Sequence, residues 1–299
     1  GGAEGDRVVR LFAILLAGVA TVLALAVGGA YAMQDKVLFH PDPTRVAPKA
    51  GYIEVEDIQT KDGEDLVGWY APPSAGCPII LFLHGNGSRL DRDTWRYERI
   101  HDQGVGLLAL AWRGYSGSSG KPSERGFNAD ADAAWSWLMA QGYASHDVII
   151  QGFSIGSGPA TRLASLQDAG ALILEAPYYS MADLIRQKTA GVPVDFVLKH
   201  PFRSDHRIKQ VDEPVLMAHG GVDRVIPSNQ SKRLFELANA PKTYRLFDAS
   251  DHNTLVRDGL YEEAIWPFIA AHWTATTRPD PSKTTNCYLS QDTVSGETL

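Results

Sequence analysis

An α/β architecture follows from the order of apolar segments in this chain: a mostly parallel sheet of about eight strands with helices on both faces. Three observations carry that expectation. Apolar runs at 79–83, 105–112, 148–151, 171–175, 215–218 and 243–247 alternate with stretches of helical length near 92–103, 127–140, 157–168, 228–238 and 257–273. Such strand–helix–strand repetition gives a parallel sheet, because each crossover helix must cover a sheet face. Ahead of these runs, 52–60 and 66–71 flank Lys61-Asp62-Gly63-Glu64, a hairpin pattern that adds two antiparallel strands. Finally, 147–158 reads as a short buried strand running into Gly152-Phe153-Ser154-Ile155-Gly156 and a helix-compatible segment, a G-x-S-x-G turn after the fifth strand.

The 299 residues, 44% of them hydrophobic, are enough for one large α/β domain or two small ones. The formal charge of −7 comes from intermixed acidic and basic residues without Lys/Arg tracts, so no nucleic-acid partner is expected. Cys77 and Cys287, 210 positions apart, match no metal-ligand spacing and leave the redox compartment open.

Taken in order, residues 1–10 form an N-terminal flank to 11–33, a 23-residue uncharged segment rich in Leu, Ala and Val. At ~1.5 Å per residue it reaches roughly 34 Å, enough to cross a bilayer as a single transmembrane helix. A cleaved signal peptide is the rival, since Ala30-Tyr31-Ala32 imitates a cleavage site, but the apolar region exceeds what such peptides need. Arg7 and Arg10 before the segment, against Lys36 after it, place the N-terminus inside and the domain on the non-cytoplasmic side, although Arg45 and Lys49 balance a wider count. Residues 34–50, with Pro41, Pro43 and Pro48, read as a tether, and 51–273 as the folded domain. Within it, 180–208 interrupts the strand–helix rhythm and reads as a small lid insertion, while the Ser-, Thr- and Pro-rich 274–299 reads as a disordered tail.

The G-x-S-x-G turn singles out Ser154. A serine at the apex of a strand-to-helix turn is held in a strained conformation with its hydroxyl above the sheet, and glycines on both sides make room for it. A nucleophilic serine needs a base, a carboxylate to orient the base, and donors for an oxyanion. Asp223 follows the apolar run 215–218 and His252 follows 243–247, so residues 69 and 29 positions apart in sequence fall in loops at one sheet edge, in the order Ser, Asp, His. Glu175, ending the sixth strand, is a second candidate acid, whereas Asp248 and Asp251 read as turn residues. His84 and His219 also end strands, but each precedes Gly and reads as a brace for a tight turn. The oxyanion donors expected are the backbone N–H of Ile155 and that of Asn86, with Gly87 second, in the loop His84-Gly85-Asn86-Gly87-Ser88. Tyr178 and Tyr179, beside the sixth strand and facing the expected lid, are candidates for contact with an apolar acyl group. Asn86-Gly87-Ser88 also fits a glycosylation pattern, which a site there would exclude, and 114–121 lacks the first Gly and the Ser/Thr of a phosphate loop. With no H-E-x-x-H or Cys/His cluster, neither a metal nor another cofactor is expected.

From about residue 52 to 273 the chain resembles the α/β-hydrolase superfamily. More narrowly it is similar to the small membrane-associated serine hydrolase branch that includes the ABHD-group protein depalmitoylases and their bacterial and fungal relatives. The residues that carry the likeness are His84-Gly85-Asn86-Gly87, the run from Arg113 to Glu124 (Arg113-Gly-Tyr-Ser-Gly-Ser-Ser-Gly-Lys-Pro-Ser-Glu124), the elbow around Ser154, His219-Gly220-Gly221-Val222-Asp223 with Ile226-Pro227, and His252-Asn253. The resemblance implies Ser154 as nucleophile, Asp223 as acid and His252 as base. Phe153 stands where that branch often has Arg, and Ser116 where Gly is commoner, which leaves the substrate open. The expectation is a membrane-anchored serine esterase or thioesterase acting on a small-molecule, lipid or acylated-protein substrate through an acyl-enzyme. A peptidase or amidase on the same triad, or a non-catalytic binding protein of this fold, are the alternatives.

Overall fold

The computed structural model describes residues 2–273 except 190, 192, 193 and 196. Among them the sheet has eight strands, β1 (Glu54–Gln59), β2 (Asp65–Ala71), β3 (Ile79–Leu83), β4 (Gly106–Leu110), β5 (Val148–Phe153), β6 (Ala171–Glu175), β7 (Val215–Gly220) and β8 (Lys242–Phe247). Their order across the sheet is β1-β2-β4-β3-β5-β6-β7-β8. Pairing is antiparallel from β1 through β2 to β4 and parallel thereafter. The helices are α1 (Gly2–Leu38), α2 (Thr94–Asp102), α3 (Glu124–Ala140), α4 (Ser157–Ala164), α5 (Met181–Lys188), α6 (Ser204–Arg207), α7 (Asn229–Leu237) and α8 (Trp266–His272).

Why the central strands read as unbroken apolar runs is visible in the core. Successive residues of one strand point to opposite faces, and helices cover both. Leu81, Leu108, Ile150, Leu172 and Met217 belong to one apolar cluster with Ala134 of α3 and Leu163 of α4. Their neighbours Phe82, Ala109, Ile149, Ile173 and Leu216 belong to a second, with Ile100 of α2 and Ile269 of α8. The chain leaves β3 in one direction to form β4 and then crosses back to form β5 on the other side. That reversal puts the carboxyl ends of β3 and β5 side by side, with Leu83 in register with Gly152, at the position where open α/β sheets hold ligands.

α1 is long and apolar enough to cross a membrane over Gly5–Leu38, and its large apolar side chains, among them Leu15, Val22 and Leu25, are exposed. The chain after it differs from the expected tether of 34–50. The helix continues to Leu38, and Phe39 is buried at 2% exposure, its ring 5.3 Å from Phe127 and 5.0 Å from the His200 imidazole. Asp35 reaches Lys199 Nζ at 3.2 Å and His200 Nε2 at 2.8 Å, while Gln34 exchanges hydrogen bonds with Val197 O and Lys199 N. Burial of one large aromatic outweighs the stiffness of the neighbouring prolines, so this stretch is fastened to the domain.

The described part of 180–208 is likewise fastened on the flank. It is held by the α1 end, by Asp183 with Arg233 of α7 at 2.7 Å, and by Phe202 N–H on Glu124 at 2.9 Å. Residues 274–299, read as a disordered tail, lie outside the described residues.

If 34–50 were a free tether, Phe39→Ala would be silent. The burial of Phe39 instead implies a loss of about 3 kcal/mol of unfolding free energy. Urea or thermal unfolding of the full chain in detergent reads that difference directly.

Candidate active site

Strand β5 runs into a single 3₁₀ turn, Ser154–Gly156, and then α4. Ser154 has φ +53, a left-handed conformation that costs a non-glycine residue on the order of 1 kcal/mol and persists only where the surroundings impose it. They do: a Cβ on Gly152 would lie 2.6 Å from Ala160 Cβ, and one on Gly156 would lie 2.2 Å from Leu83 O. The glycines let the turn sit against β3 and α4 with the serine at its apex.

The structure brings Ser154, His252 and Asp223 together, each less than a tenth exposed. His252 Nε2 is 2.9 Å from Ser154 Oγ, and His252 Nδ1 is 2.6 Å from Asp223 Oδ2. The other carboxylate oxygen, Oδ1, accepts the N–H groups of Val225 and Ile226, both at 2.8 Å. His219 closes the shell, its Nε2 donating to Ile226 O at 2.8 Å and lying 3.3 Å from Asp223 Oδ2. Burial alone would raise the Asp223 pKa, but the hydrogen bonds from His219 and His252 outweigh it and hold the carboxyl below the usual range. Asp223 is therefore ionised, as a group must be if it is to favour a protonated imidazole.

The two N–H groups expected to receive an oxyanion are fixed from their carbonyl sides. A peptide is planar, so a hydrogen bond on its C=O also fixes the direction of its N–H. Ser157 Oγ donates to Ser154 O at 2.6 Å, which holds the Ser154–Ile155 peptide. His84 Nδ1 lies 2.7 Å from Gly85 O and, as donor, holds the Gly85–Asn86 peptide. Burial pushes the His84 pKa down to about 4, so the ring is neutral and its Nε2 can face the Trp112 N–H at 3.4 Å. A Cβ on Gly85 would meet Ser154 Cβ at 3.4 Å, so the loop lies against the serine. Among the described residues no group accepts from the Asn86 N–H. Asn86, Gly87, Phe153, His252, Leu255 and Val256 line a cavity of about 270 Å³ beside the triad.

Other expected residues lie elsewhere. Tyr178 is fully buried behind the turn, with its hydroxyl donating to Ile155 O at 3.1 Å, and Tyr179 stacks on Arg233, 4.2 Å from the guanidinium carbon. Neither lines the cavity. They pack instead against the turn before α4 and against α7, and none of the described residues of 180–208 lines the cavity. Glu175 does line it, but both its oxygens are committed, to Arg96 at 2.5 and 3.0 Å and to Gln151. Asp251 accepts the Asn253 N–H at 2.8 Å, as a turn residue does. The role of His219 beside Asp223 was missed by sequence reading. Its one signal was the spacing of four between two polar residues at the end of a buried strand.

No family model matches this chain. It is 32% identical over 206 residues to alpha/beta hydrolase domain-containing protein 17B of Xenopus laevis, covering 65% of this chain and 68% of that protein. It is 32% identical over 212 residues to lysophosphatidylserine lipase ABHD12 of Danio rerio, covering 62% of this chain and 53% of that protein. Among solved structures, an esterase of Pyrococcus furiosus, Pf2001, superposes with a TM-score of 0.64 at 18% identity, over 78% of this chain and 98% of that one.

The neutral His84 makes stability depend on pH. Between its ordinary 6.5 and about 4 the unfolded chain binds a proton that the folded chain refuses, so this contribution is complete above 6.5 and is lost as pH falls toward 4. His84→Asn keeps a donor for Gly85 O but does not titrate. From pH 7 to 4.5, the unfolding free energy of the wild type should fall by about 2–3 kcal/mol relative to that variant, measured by urea titration at both pH values. An unchanged difference would mean that His84 is not held neutral.

Proposed function

The chain belongs to the α/β-hydrolase family, and on that premise we propose that it is a membrane-anchored serine hydrolase cleaving a carboxylic ester or thioester through an acyl-enzyme. The observation that carries this reading is the unbroken hydrogen-bond chain from Ser154 Oγ through His252 to Asp223. In it, Ser154 attacks the carbonyl carbon while His252 Nε2 takes the hydroxyl proton, and Asp223 stabilises the imidazolium. The carbonyl oxygen becomes an oxyanion that accepts from the N–H groups of Asn86 and Ile155. As the tetrahedral species collapses, the bond to the alcohol or thiol breaks, and His252 returns the proton to the leaving group. Water then repeats the sequence on the acyl-enzyme and frees the acid and Ser154.

Phe153, Leu255 and Val256 give the cavity an apolar wall, which suits the acyl part of a substrate. A lipid or acylated-protein substrate is supported by α1 and by the lipase relative. The basic Arg7 and Arg10 before the apolar segment favour a single-pass topology with the domain on the non-cytoplasmic side. An amidase would use the same groups, and a panel of p-nitrophenyl esters, acyl-thioesters and anilides of rising chain length separates the classes.

Ser154→Ala should lower kcat by about 10⁶-fold with the fold intact. Residual activity above a tenth of wild type would remove Ser154 from the mechanism. Asp223→Asn should cost on the order of 10⁴-fold by favouring the wrong imidazole tautomer. Glu175→Gln removes the carboxylate that pairs with the buried Arg96, leaving it only Asp93 at 3.8 Å, and should cost about 3 kcal/mol of stability, with kcat of the folded fraction within tenfold of wild type. Kinetics paired with circular dichroism on both variants test the assignment, and a larger loss of kcat in folded Glu175→Gln would move the acid role to Glu175.

A further inference from the structure

We propose that the end of α1 is a positioning element of the active site, acting through the side chain of Asn86. The inference rests on the hydrolase reading above and adds to it a link between the membrane helix and the rate of the chemical step.

The side chain of Asn86 is held from two sides. On the domain side, the Tyr115 hydroxyl donates to Asn86 Oδ1 at 2.8 Å. On the α1 side, Asn86 Nδ2 donates to Leu38 O at 2.6 Å and lies 3.0 Å from His40 Nδ1, and Oδ1 accepts the His40 N–H at 3.0 Å. Leu38 is the last residue of α1, and its carbonyl is one of those a helix end leaves without an intrahelical partner. Asn86 supplies that partner across 48 positions of sequence. Between the two contacts lies Phe39, buried in the core, so Leu38 and His40 cannot shift independently. One turn earlier, Gln34 and Asp35 clamp the helix to 197–200.

The consequence falls on the N–H of Asn86. Its peptide is held at the Gly85 carbonyl by His84, and its side chain is held largely by the exit of α1. With the α1 contacts gone, the residue can rotate about its own backbone, and the N–H leaves the line it must keep toward a developing oxyanion. A contact realised only in the transition state lowers kcat when lost and leaves KM alone. Because α1 presents its apolar side chains outward, the bilayer sets its position, and through Leu38 and His40 that position reaches the catalytic loop.

The test uses the full chain in detergent with a soluble short-chain p-nitrophenyl ester. His40→Pro removes the N–H that Asn86 accepts, next to a proline already present at position 41, and should lower kcat about tenfold with KM within twofold. His40→Ala keeps the N–H but removes the ring contact with Asn86 Nδ2, so its loss of kcat should be smaller than that of His40→Pro. Asn86→Ala keeps its own backbone N–H and should lower kcat by about 10- to 100-fold. In the His40→Pro background its further cost should shrink, since the two changes share the loss of the His40–Asn86 contact.

A folded His40→Pro protein with wild-type kcat, an effect confined to KM, an equal loss in His40→Ala, or additive losses in the double variant would each overturn the proposal. If His40→Pro does not fold, Asn86→Ala is compared with Tyr115→Phe, which removes only the domain-side bond: a kcat-only loss in Asn86→Ala well beyond that of Tyr115→Phe supports the link, and equal losses refute it. Fluorophosphonate labelling of the wild-type chain separates the two layers. No labelling at Ser154 defeats the hydrolase reading itself, whereas labelling with unchanged His40→Pro and Asn86→Ala kinetics defeats only the link to α1.

Discussion

The approach of the turn after β5 to strand β3 is the constraint on which the site depends. Gly156 passes so near the Leu83 carbonyl that any side chain there would overlap it, and Gly85 on the facing loop packs against the Phe153 ring and Ser154 Cβ. The reversal in the sheet's direction of growth brings the turn after β5 and the loop after β3 side by side. The approach forces Ser154 into its left-handed conformation. It also sets the Asn86 loop beside the serine. Hydrogen bonds to Gly85 O and Ser154 O then turn two ordinary peptides into fixed dipoles. Fixed dipoles of this kind need no reorganisation when charge appears beside them, the property that makes them effective in catalysis.

Buried charge is handled in the same region by pairing. Arg96 and Glu175 meet through two hydrogen bonds, and Tyr261 adds a third contact to the guanidinium at 3.2 Å. Arg113 similarly joins Asp130 and Asp62. An unpaired ion at such depth would cost several kcal/mol, so removal of one member is far more damaging than the worth of the pair suggests. Asp223 differs in kind. Its partners are two histidines and two backbone N–H groups, so its charge faces a group that can itself gain and lose a proton. Two acidic residues thus stand at one sheet edge, Glu175 at the end of β6 locked to a permanent cation and Asp223 in the loop after β7 locked to an imidazole. Their environments, not their residue type, separate a structural carboxylate from one suited to a triad.

Seen from the N-terminus, α1 is joined to the domain by more than a peptide link. The buried ring of Phe39, the Asp35 contacts with Lys199 and His200, and the Asn86 bonds to Leu38 and His40 form one continuous set of contacts. A proline-rich linker of the same length would leave the two parts to move separately. Here a single apolar side chain, buried between flanking hydrogen bonds, makes the helix end part of the domain surface nearest the site.

By itself the sequence determined the class of fold, the number of strands and the edge at which Ser154, Asp223 and His252 gather. Each of these rests on a local signal: apolar runs with a strand or helix period, a glycine pair around a serine, an acid or base just past a buried run. The transmembrane length of α1 was legible for the same reason. What only the tertiary structure decided are matters of direction and of pairing at long range. Nothing local in Tyr178 says that it faces the back of the turn, and nothing near Glu175 reveals Arg96, 79 positions earlier, as its partner. Likewise the prolines of 34–50 signal an extended chain but not where Phe39 inserts. Side-chain direction at a strand end, and the choice of a counter-ion, are fixed by packing between segments distant in sequence, and a period of two or 3.6 residues carries no information about them.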